Sequence, residues 1–400
     1  MAILFIVSSL VLFILLLWLD FRLGKKAATK SISALDFSRK QGDYSLFSDG
    51  NKLFDQFFQD IMEAQKKIDV QFYIVRNDEV SKTLFDLLKE RAKNGVQVRL
   101  LIDRIGGLKV RKKIANDLRD AGVNVMFSDK PRFPYYFYKL NRRNHRKIAV
   151  VDHKIGYVGG FNIGKEYLGK DAYFGPWRDY HLRLTGEIVQ DLAFLFQHDW
   201  KENMSGTPSI PKDENGSTNE GTSHIKLSAT ETGQLEDILV NRVNQAHSEI
   251  LLASPYFIPT QRLFEAFVQA IKRGVEVTLV APLKGDHPFV KPASIPYYRE
   301  LSNAGGHVYL YDKGFYHAKV MIVDQELCEI GTANLDQRSL FLNKEVSAVF
   351  TDSDTFIHEI RSSFIQDRNA SIPLTENGLK KRSFSSKISG VLAKCIKPLL

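Results

Sequence analysis

Cysteine is scarce in this sequence: of 400 residues, only Cys328 and Cys395 are cysteines. Two cysteines cannot form the disulfide framework of a small secreted domain, and neither stands in the spacing of a metal-binding motif. Hydrophobic residues make up 44% and charged residues 25% of the chain. These values are typical of globular proteins, which excludes a fibrous or largely disordered chain.

The length and the net charge narrow the class of protein further. A chain of 400 residues favours two domains over a single core. The formal net charge of +9 indicates attraction to a polyanion, which is either nucleic acid or the anionic surface of a bilayer. Composition alone does not choose between these two partners.

The N-terminal segment favours the membrane. Residues 2–19 contain no charged side chain, and the first charge is that of Asp20. The length of this uncharged run is close to the roughly 20 apolar residues that span a bilayer core. A cleaved signal peptide would have charged residues before its apolar run and a small-residue cleavage site after it. Here basic residues follow the run, beginning with Arg22 and Lys25. We therefore expect a single uncleaved span in the cell membrane, with the rest of the chain in the cytoplasm.

An internal repeat organises the remainder of the chain. Lys67 to Asp103 and Ser248 to Pro282 each read as a strand, an amphipathic helix and a second strand. Such units give parallel strands covered by helices. We therefore predict an α/β protein with two similar domains at 40–203 and 225–372. The Ser-, Gly- and Asn-rich residues 204–224 are predicted to be a flexible linker.

Each copy contains the same pattern of histidine, lysine, aspartate and asparagine. The spacing is identical: His145, Lys147, Asp152 and Asn162 in the first copy, and His317, Lys319, Asp324 and Asn334 in the second. A single His-x-Lys pattern is most simply a chance occurrence among surface residues, but two copies at the same place in a repeat indicate function. Residues two apart on a strand point to the same face, so each histidine and its lysine reach one space. The histidines, lysines and aspartates form the candidate catalytic set.

The two aspartates of this set have a different expected role. Asp152 and Asp324 have the opposite parity from the lysines if the strands are regular. We therefore expect them to hold the strand ends by hydrogen bonds.

The chemistry of the pattern suits a phosphodiester. Gly160 and Thr332 are small enough for backbone to approach a phosphate, and Asn162 and Asn334 can donate to its oxygens. The lysines neutralise the phosphoryl charge while a neutral imidazole attacks phosphorus and a second, protonated imidazole gives its proton to the departing alcohol. We expect no metal and no other cofactor, because an ammonium group has no lone pair for a metal ion.

Two carboxylates are candidates for orienting the histidines. Asp179 and Glu345 each stand at the start of a strand-like run that follows the motif of its own copy. A histidine in acid–base chemistry needs a partner on its other ring nitrogen. The alternative is that both are ordinary surface carboxylates.

Two further segments point to a bilayer. The first copy has an insertion before its motif, which includes the aromatic and basic residues 131–140; we expect a loop at the mouth of the site, at the bilayer interface, with a core hairpin as the alternative. Residues 380–400 predict a basic amphipathic helix, with its apolar residues on one face. We expect this tail to assist membrane contact, the alternative being a helix packed on the core.

The repeated pattern resembles the duplicated HKD motif of the phospholipase D superfamily, and the similarity extends over residues 43–372. Several stretches resemble bacterial cardiolipin synthases in particular: Asn144 to Ile148, Trp177 to Asp179, Ser254 to Pro259, Asp286 to Val290 and Gly331 to Asp336. The resemblance implies two α/β domains related by a pseudo-twofold axis, with mixed, mostly parallel sheets flanked by helices and one site at their interface.

The resemblance also implies a reaction. His145 would become phosphatidylated and His317 would act as acid and then as base, so that two phosphatidylglycerols give cardiolipin and glycerol. Gly160 departs from the serine that the superfamily often has there, which removes a hydroxyl donor. A phospholipase D-type hydrolase, another phosphatidyltransferase and a non-catalytic lipid-binding protein are the alternatives. Nucleic acid is not expected as a partner, because the anchor and the aromatic insertion favour a phospholipid at a membrane.

Overall fold

The computed structural model describes residues 1–31, 35–204, 221–287, 289–351 and 354–375. The tail at 380–400 therefore lies outside the described residues, as does most of the linker predicted at 204–224.

Helices and strands alternate through both halves of the chain. The helices of the described part are α1 Ala2–Ser31, α2 Gly50–Glu63, α3 Glu79–Lys93, α4 Lys112–Asp120, α5 Tyr136–Asn141, α6 Ile188–Glu202, α7 Gln234–Gln245, α8 Gln261–Lys272, α9 Val290–Asn303, α10 Gln337–Phe341 and α11 Asp354–Asn369, with a 3-10 helix at Lys165–Leu168. The strands are β1 Lys40–Phe47, β2 Lys67–Phe72, β3 Gln97–Asp103, β4 Asn124–Ser128, β5 Ile148–Val151, β6 Ile155–Gly159, β7 Trp177–Arg178, β8 His181–Gly186, β9 Ser223–Thr230, β10 Glu249–Ala253, β11 Glu276–Pro282, β12 His307–Tyr311, β13 Phe315–Tyr316, β14 Val320–Val323, β15 Leu327–Gly331, β16 Glu345–Thr351 and β17 Ser371–Pro373.

One sheet of 15 strands runs through both halves, in the order β17-β12-β11-β10-β14-β15-β16-β9-β1-β8-β6-β5-β2-β3-β4. Outward from the centre, the first half reads β1-β8-β6-β5-β2-β3-β4 and the second half reads β9-β16-β15-β14-β10-β11-β12. The two halves therefore have the same strand order, and they meet where β1 and β9 pair antiparallel. The predicted pair of similar α/β units is confirmed.

The expected mixture of parallel and antiparallel strands flanked by helices is confirmed, whereas the expectations of a separate sheet in each half and of mostly parallel pairing are wrong. The halves share one continuous sheet, and only the β2-β3-β4 and β10-β11-β12 segments of that sheet are parallel. These strands are joined by crossover helices, which parallel pairing requires. The motif strands β5 and β14 instead turn back at once into β6 and β15, and such tight connections give antiparallel pairs.

Amphipathic helices cover both faces of this sheet. In α8, for example, the Thr260 hydroxyl accepts a hydrogen bond from the Leu263 backbone N–H at 3.0 Å and caps the first turn. Leu263, Phe264 and Phe267 are then buried on one side of the helix against the second half. Cys328 lies in the core between the halves, where burial raises the pKa of its thiol, so it is not a reactive cysteine.

Helix α1 is long and apolar enough to cross a membrane, and its apolar part is not buried by the rest of the chain. The helix continues beyond that part and packs on α5. The Asp20 carboxylate accepts a hydrogen bond from the Tyr138 N–H at 2.8 Å, and the Phe21 ring lies 6.0 Å from the Tyr138 ring. Gly24 permits this approach, because a Cβ there would lie 2.5 Å from the Tyr138 Cβ. The aromatic insertion is thus attached to the end of the apolar helix.

The motif aspartates lie in the tight turns after β5 and β14. Asp152 accepts hydrogen bonds from the backbone N–H groups of residues 65–67 at 2.8, 2.7 and 2.8 Å. Asp324 accepts the equivalent three, from residues 247–249, at 2.8, 2.7 and 3.0 Å. Burial opposes ionisation of Asp324, but these hydrogen bonds lower its pKa. A whole strand separates each aspartate from its histidine, so both tie strand ends together and belong outside the reacting groups.

Replacing Asp152 with alanine should reduce stability much more than it reduces the catalytic rate. Three hydrogen bonds to a charged acceptor are lost, at a cost of about 3 kcal/mol or more. Thermal unfolding of the protein in detergent measures the first effect, and kcat well below the unfolding temperature measures the second. Asp86→Ala is the control, because the Asp86 side chain is 72% exposed. Loss of kcat at unchanged unfolding temperature would assign Asp152 to the reaction instead.

Candidate active site

The two histidines of the repeated pattern lie at one cavity. His145 precedes β5 and His317 precedes β14, and these strands occupy equivalent places in the two halves. Both imidazoles line a cavity of about 680 Å³, together with Asn162 and Asn334. The cavity lies at the ends of β2 and β3, where Tyr73 and Ile105 also face it. None of the residues 131–140 lines this cavity, and the expected position of the aromatic insertion at its mouth stays a prediction.

Each histidine is held by a carboxylate from the opposite half of the chain. His145 Nδ1 lies 2.8 Å from Glu345 Oε2, and His317 Nδ1 lies 2.6 Å from Asp179 Oδ2. An ionised carboxylate can only accept, so each Nδ1 carries the proton and each Nε2 keeps its lone pair. The sequence places each carboxylate after the motif of its own copy and does not reveal this exchange.

The backbone repeats the exchange. The His145 N–H donates to the Lys344 carbonyl at 3.0 Å, and the His317 N–H donates to the Arg178 carbonyl at 2.7 Å. In both cases the accepting residue immediately precedes the carboxylate that holds the imidazole. The short strands β7 and β13 pair in parallel beside this contact. The main chain and the side chain of each histidine are therefore fixed by the same segment of the other half.

Both motif lysines are buried beneath their histidines. Lys147 Nζ donates to the His145 carbonyl at 2.8 Å, and Lys319 donates to the His317 carbonyl and lies 3.5 Å from Asp179. Burial lowers the pKa of Lys147 well below its usual value and that of Lys319 to about 8. Lys319 Nζ also lies 2.6 Å from His317 Nδ1. Each lysine nitrogen thus lies directly behind an imidazole.

Burial decides the charge of the two imidazoles that line the cavity. It lowers the pKa of His145 to about 4, although Glu345 opposes the effect, and it lowers the pKa of His317 to about 4, with Asp179 in the opposing role. The carboxylates stay ionised. Burial favours their neutral forms, but nearby lysine and histidine groups lower the pKa of Asp179 and of Glu345. Neutral pH therefore gives two neutral imidazoles facing two carboxylates.

Gly160 and Thr332 support these carboxylates, which corrects their expected role at the phosphate. Their backbone N–H groups donate within the sheet, to the Tyr180 and Val346 carbonyls, both at 2.9 Å. A Cβ at Gly160 would lie 2.1 Å from Asp179 Oδ1, so no serine fits there. In the other half, the Thr332 hydroxyl donates to Glu345 Oε2 at 2.6 Å. The glycine makes room for one carboxylate, and the threonine holds the other.

Asn162 and Asn334 both face the cavity, as expected. Asn162 Oδ1 accepts a hydrogen bond from the Ile74 N–H at 3.0 Å, which fixes the side of the amide that can donate. The Asn334 side chain donates to Asp336 Oδ2 at 3.2 Å, and its backbone N–H donates to Ser339 Oγ at 3.1 Å. Both amides are thus held in place at the wall of the cavity.

Sequence reasoning missed a set of buried ion pairs beneath the histidines. Arg146, the middle residue of the first motif, is fully buried and lies 2.5 Å from Asp199 on α6. Asp199 also accepts hydrogen bonds from Gln71 and Asn144 at 2.8 and 2.9 Å. The signal in the sequence is a single acidic residue on the otherwise apolar face of α6, between Phe196 and Trp200.

These ion pairs also cross between the halves. Lys344 of the second half lies 3.7 Å from Asp199 of the first, and Arg178 of the first half lies 3.0 Å from Asp367 on α11 of the second. Lys344 and Arg178 are the two residues whose carbonyls hold the histidine N–H groups. The segment that contains Lys344 and the segment that contains Arg178 therefore each fix one imidazole and also bind a helix of the opposite half, α6 and α11 respectively.

A nearby acidic group has the spacing of a metal site: one ligand atom from each of His198, Asp199, Glu202 and Glu231 lies within 4.8 Å of the others. Its carboxylates are already engaged by protein cations. Glu231 lies 2.9 Å from Arg142, Asp199 lies 2.5 Å from Arg146, and Lys344 contacts Glu202. A divalent cation would have to displace these side chains, so the group fits a structural role.

The comparisons with known proteins agree with the geometry. The sequence profile of the family described as "Cardiolipin synthase, PLD-like domain" matches residues 57–200 and 239–368, one segment in each half. The protein named minor cardiolipin synthase ClsB of Bacillus subtilis (strain 168) is 41% identical over 394 residues, which cover 98% of both chains. A cardiolipin synthase of Geobacillus sp. (strain WCH70) is 38% identical over 361 residues, covering 89% of this chain and 72% of that protein.

A solved structure supports the fold independently. The structure of phosphatidylserine synthase from Haemophilus influenzae Rd KW20 superposes with a TM-score of 0.70 at 15% identity, over 94% of this chain and 100% of that one. At that identity the likeness concerns the fold alone. The matched profile and the relatives identify this chain as a member of the cardiolipin synthase family of phospholipase D-like enzymes.

Proposed function

We propose that this protein is a cardiolipin synthase, which condenses two phosphatidylglycerols into cardiolipin and glycerol through a phosphohistidine at His145. As a member of its family the chain is a phosphatidyltransferase. The observation that carries the mechanism is the exchange of carboxylates: His145 and His317 come from different halves, line one cavity, and each has Nδ1 engaged by a carboxylate. Both Nε2 atoms are thereby left for chemistry.

In the first step, His145 Nε2 attacks the phosphorus of one phosphatidylglycerol. The bond between phosphorus and the glycerol oxygen breaks as a phosphorus–nitrogen bond forms, and His317 gives its proton to that oxygen, so glycerol leaves. Glu345 stabilises the positive charge that develops on the His145 ring, because it faces Nδ1 at 2.8 Å. Lys147, Lys319 and the two asparagines stabilise the phosphoryl charge.

In the second step, His317 takes the proton from a hydroxyl group of another phosphatidylglycerol. The resulting oxygen attacks phosphorus, the phosphorus–nitrogen bond breaks, and His145 returns to its neutral state. His317 is again protonated, so the cycle is balanced. Asp179 stabilises the His317 imidazolium in this cycle, at 2.6 Å from Nδ1. The anionic phosphodiester also favours imidazolium, so its binding should raise the low pKa that burial gives His317.

The phospholipid would reach the cavity from the bilayer. We place α1 across the membrane and the catalytic halves on its cytoplasmic side, in accordance with the basic residues that follow the span. Helix α5 follows the carboxyl end of β4, which lies at the same edge of the sheet as the ends of β2 and β3 beside the cavity. This helix packs on α1. Two aromatic residues just before α5 and at its start, Phe133 and Tyr136, are 82% and 44% exposed, and Arg132 precedes them. Aromatic and basic residues of this kind favour the lipid head-group region.

Trapping the intermediate tests the assigned roles. We use a donor with p-nitrophenol as its leaving group, so that departure needs no acid, and quench into alkaline detergent, because phosphoramidates are labile in acid. Labelled phosphatidyl should accumulate on His317→Ala, where resolution is slow, and should be absent from His145→Ala. His224→Ala, a change of an exposed histidine, is the control. Label on the His145 variant and none on the His317 variant would reverse the roles.

The protonation of the histidines gives a second test. Burial lowers the pKa of both imidazoles to about 4, so both are neutral above that pH and become charged only as the pH falls through it. Nitrogen-15 NMR of histidine-labelled protein should therefore show no transition between pH 5.5 and 8 for signals that vanish in the His145 and His317 variants. Urea-unfolded protein is the reference, with imidazoles that titrate near 6.5. A transition near 6.5 for these two signals in the folded protein would contradict neutral imidazoles in the cavity.

A further inference from the structure

We propose that one wall of the active-site cavity, built around Asp286, binds the free hydroxyl groups of a glycerol head group and thereby selects a vicinal diol as leaving group and as acceptor. This inference rests on the proposed function and extends it from the phosphate to the alcohol. The reacting groups described above account for the phosphorus and its oxygens. They do not explain why the alcohol should be glycerol rather than water.

Three acceptor atoms in this wall lack partners. Asp286 Oδ1, Asn334 Oδ1 and Asn343 Oδ1 are buried and accept no hydrogen bond from any residue that the structure describes. All three residues line the cavity. Residue 288, which is not described, is a proline and has no N–H to offer. An unsatisfied buried acceptor is destabilising, so three at one cavity point to a ligand that donates hydrogen bonds.

The chemistry of the lipid decides which part of it fits. A phosphodiester anion offers only acceptor oxygens, and these three acceptors cannot bind it. The free hydroxyl groups of glycerol are donors. A head group with two neighbouring hydroxyl groups satisfies more of these acceptors than a monohydric alcohol or water does.

Asp286 is held so that one oxygen stays available. The Tyr256 hydroxyl donates to Asp286 Oδ2, and His287 Nε2 lies 3.8 Å from the same oxygen. The Asp286 side chain is 14% exposed, so its orientation is fixed by the wall around it. The carboxylate is therefore set with Oδ2 engaged and Oδ1 unengaged.

The position of Asp286 matches the place of the alcohol. Burial lowers the pKa of His317 to about 4 and that of Lys319 to about 8, and Asp286 is among the charges that oppose both effects. Its carboxylate therefore lies within electrostatic reach of the imidazole that exchanges a proton with the alcohol. A glycerol whose free hydroxyl groups bind Asp286 would keep its reacting oxygen near His317.

The test measures the choice of acceptor. Full-length protein in detergent micelles receives phosphatidyl-p-nitrophenol as donor and equal concentrations of glycerol, 1,2-propanediol, 1-propanol and ethanolamine, and mass spectrometry quantifies each phosphatidyl product. The wild type should favour both vicinal diols over 1-propanol by about 10- to 100-fold, the cost of leaving acceptors unpaired. Asp286→Leu should reduce this ratio to about threefold or less, and its share of phosphatidic acid from water should rise.

Two further variants test whether a change in the product ratio is specific to the acceptor oxygen of Asp286. Asp286→Asn keeps an acceptor oxygen and should retain most of the preference for diols. Asp86→Leu changes an exposed aspartate of α3 and should leave the ratio unchanged. The ratio does not depend on total activity, so a partly inactive variant still reports on selection.

The outcomes separate this inference from the proposed function. Transfer by the wild type without a preference for diols, an undiminished preference in Asp286→Leu, or ethanolamine used as well as glycerol would each overturn the diol subsite and leave phosphatidyl transfer standing. Release of p-nitrophenol with no phosphatidyl alcohol formed would overturn the proposed transferase reaction, and the subsite with it.

Discussion

The buried charge between the two halves is the constraint on which the site depends. Two lysines, two imidazoles and two carboxylates lie out of water at the junction of the halves. An unpaired charge in such a place costs several kcal/mol, and breaking one buried pair costs about 3–5 kcal/mol. The chain avoids this cost because each histidine is paired with a carboxylate from the opposite half. Neither half can therefore form a complete site alone.

The repeated architecture makes the exchange possible, and small differences between the copies give the histidines different surroundings. The equivalent strand order brings β5 and β14 to corresponding places. Glu345 is held by a threonine hydroxyl, whereas the shorter Asp179 is accommodated by Gly160. Arg146 carries a buried ion pair behind the first motif, where the second motif has Ala318. These differences give the two histidines distinct surroundings, as the proposed division into nucleophile and proton carrier requires.

The sequence predicts what depends on local order. The spacing of the two motifs, the strand–helix–strand units and the apolar N-terminal segment are all readable, because each is set by neighbours along the chain. The exchange of carboxylates is not readable, since His145 and Glu345 are 200 positions apart and His317 and Asp179 are 138 apart. The antiparallel pairing of the motif strands was missed for a related reason: hydrophobic runs show that a strand is buried and do not show which strand lies beside it. Asp367 has its cationic partner Arg178 in the opposite half, and Asp199 has one of its partners, Lys344, there.

A crystal structure of the protein with orthovanadate tests whether both histidines act at one phosphorus, because vanadate adopts the five-coordinate geometry of phosphoryl transfer. We expect one vanadate in the cavity, bonded to Nε2 of His145, with Nε2 of His317 within hydrogen-bond distance of the apical oxygen opposite. The Nδ1 contacts of both rings to Glu345 and Asp179 should persist. Vanadate bound at one half only, without contact to the histidine of the other, would contradict a single site shared by both halves.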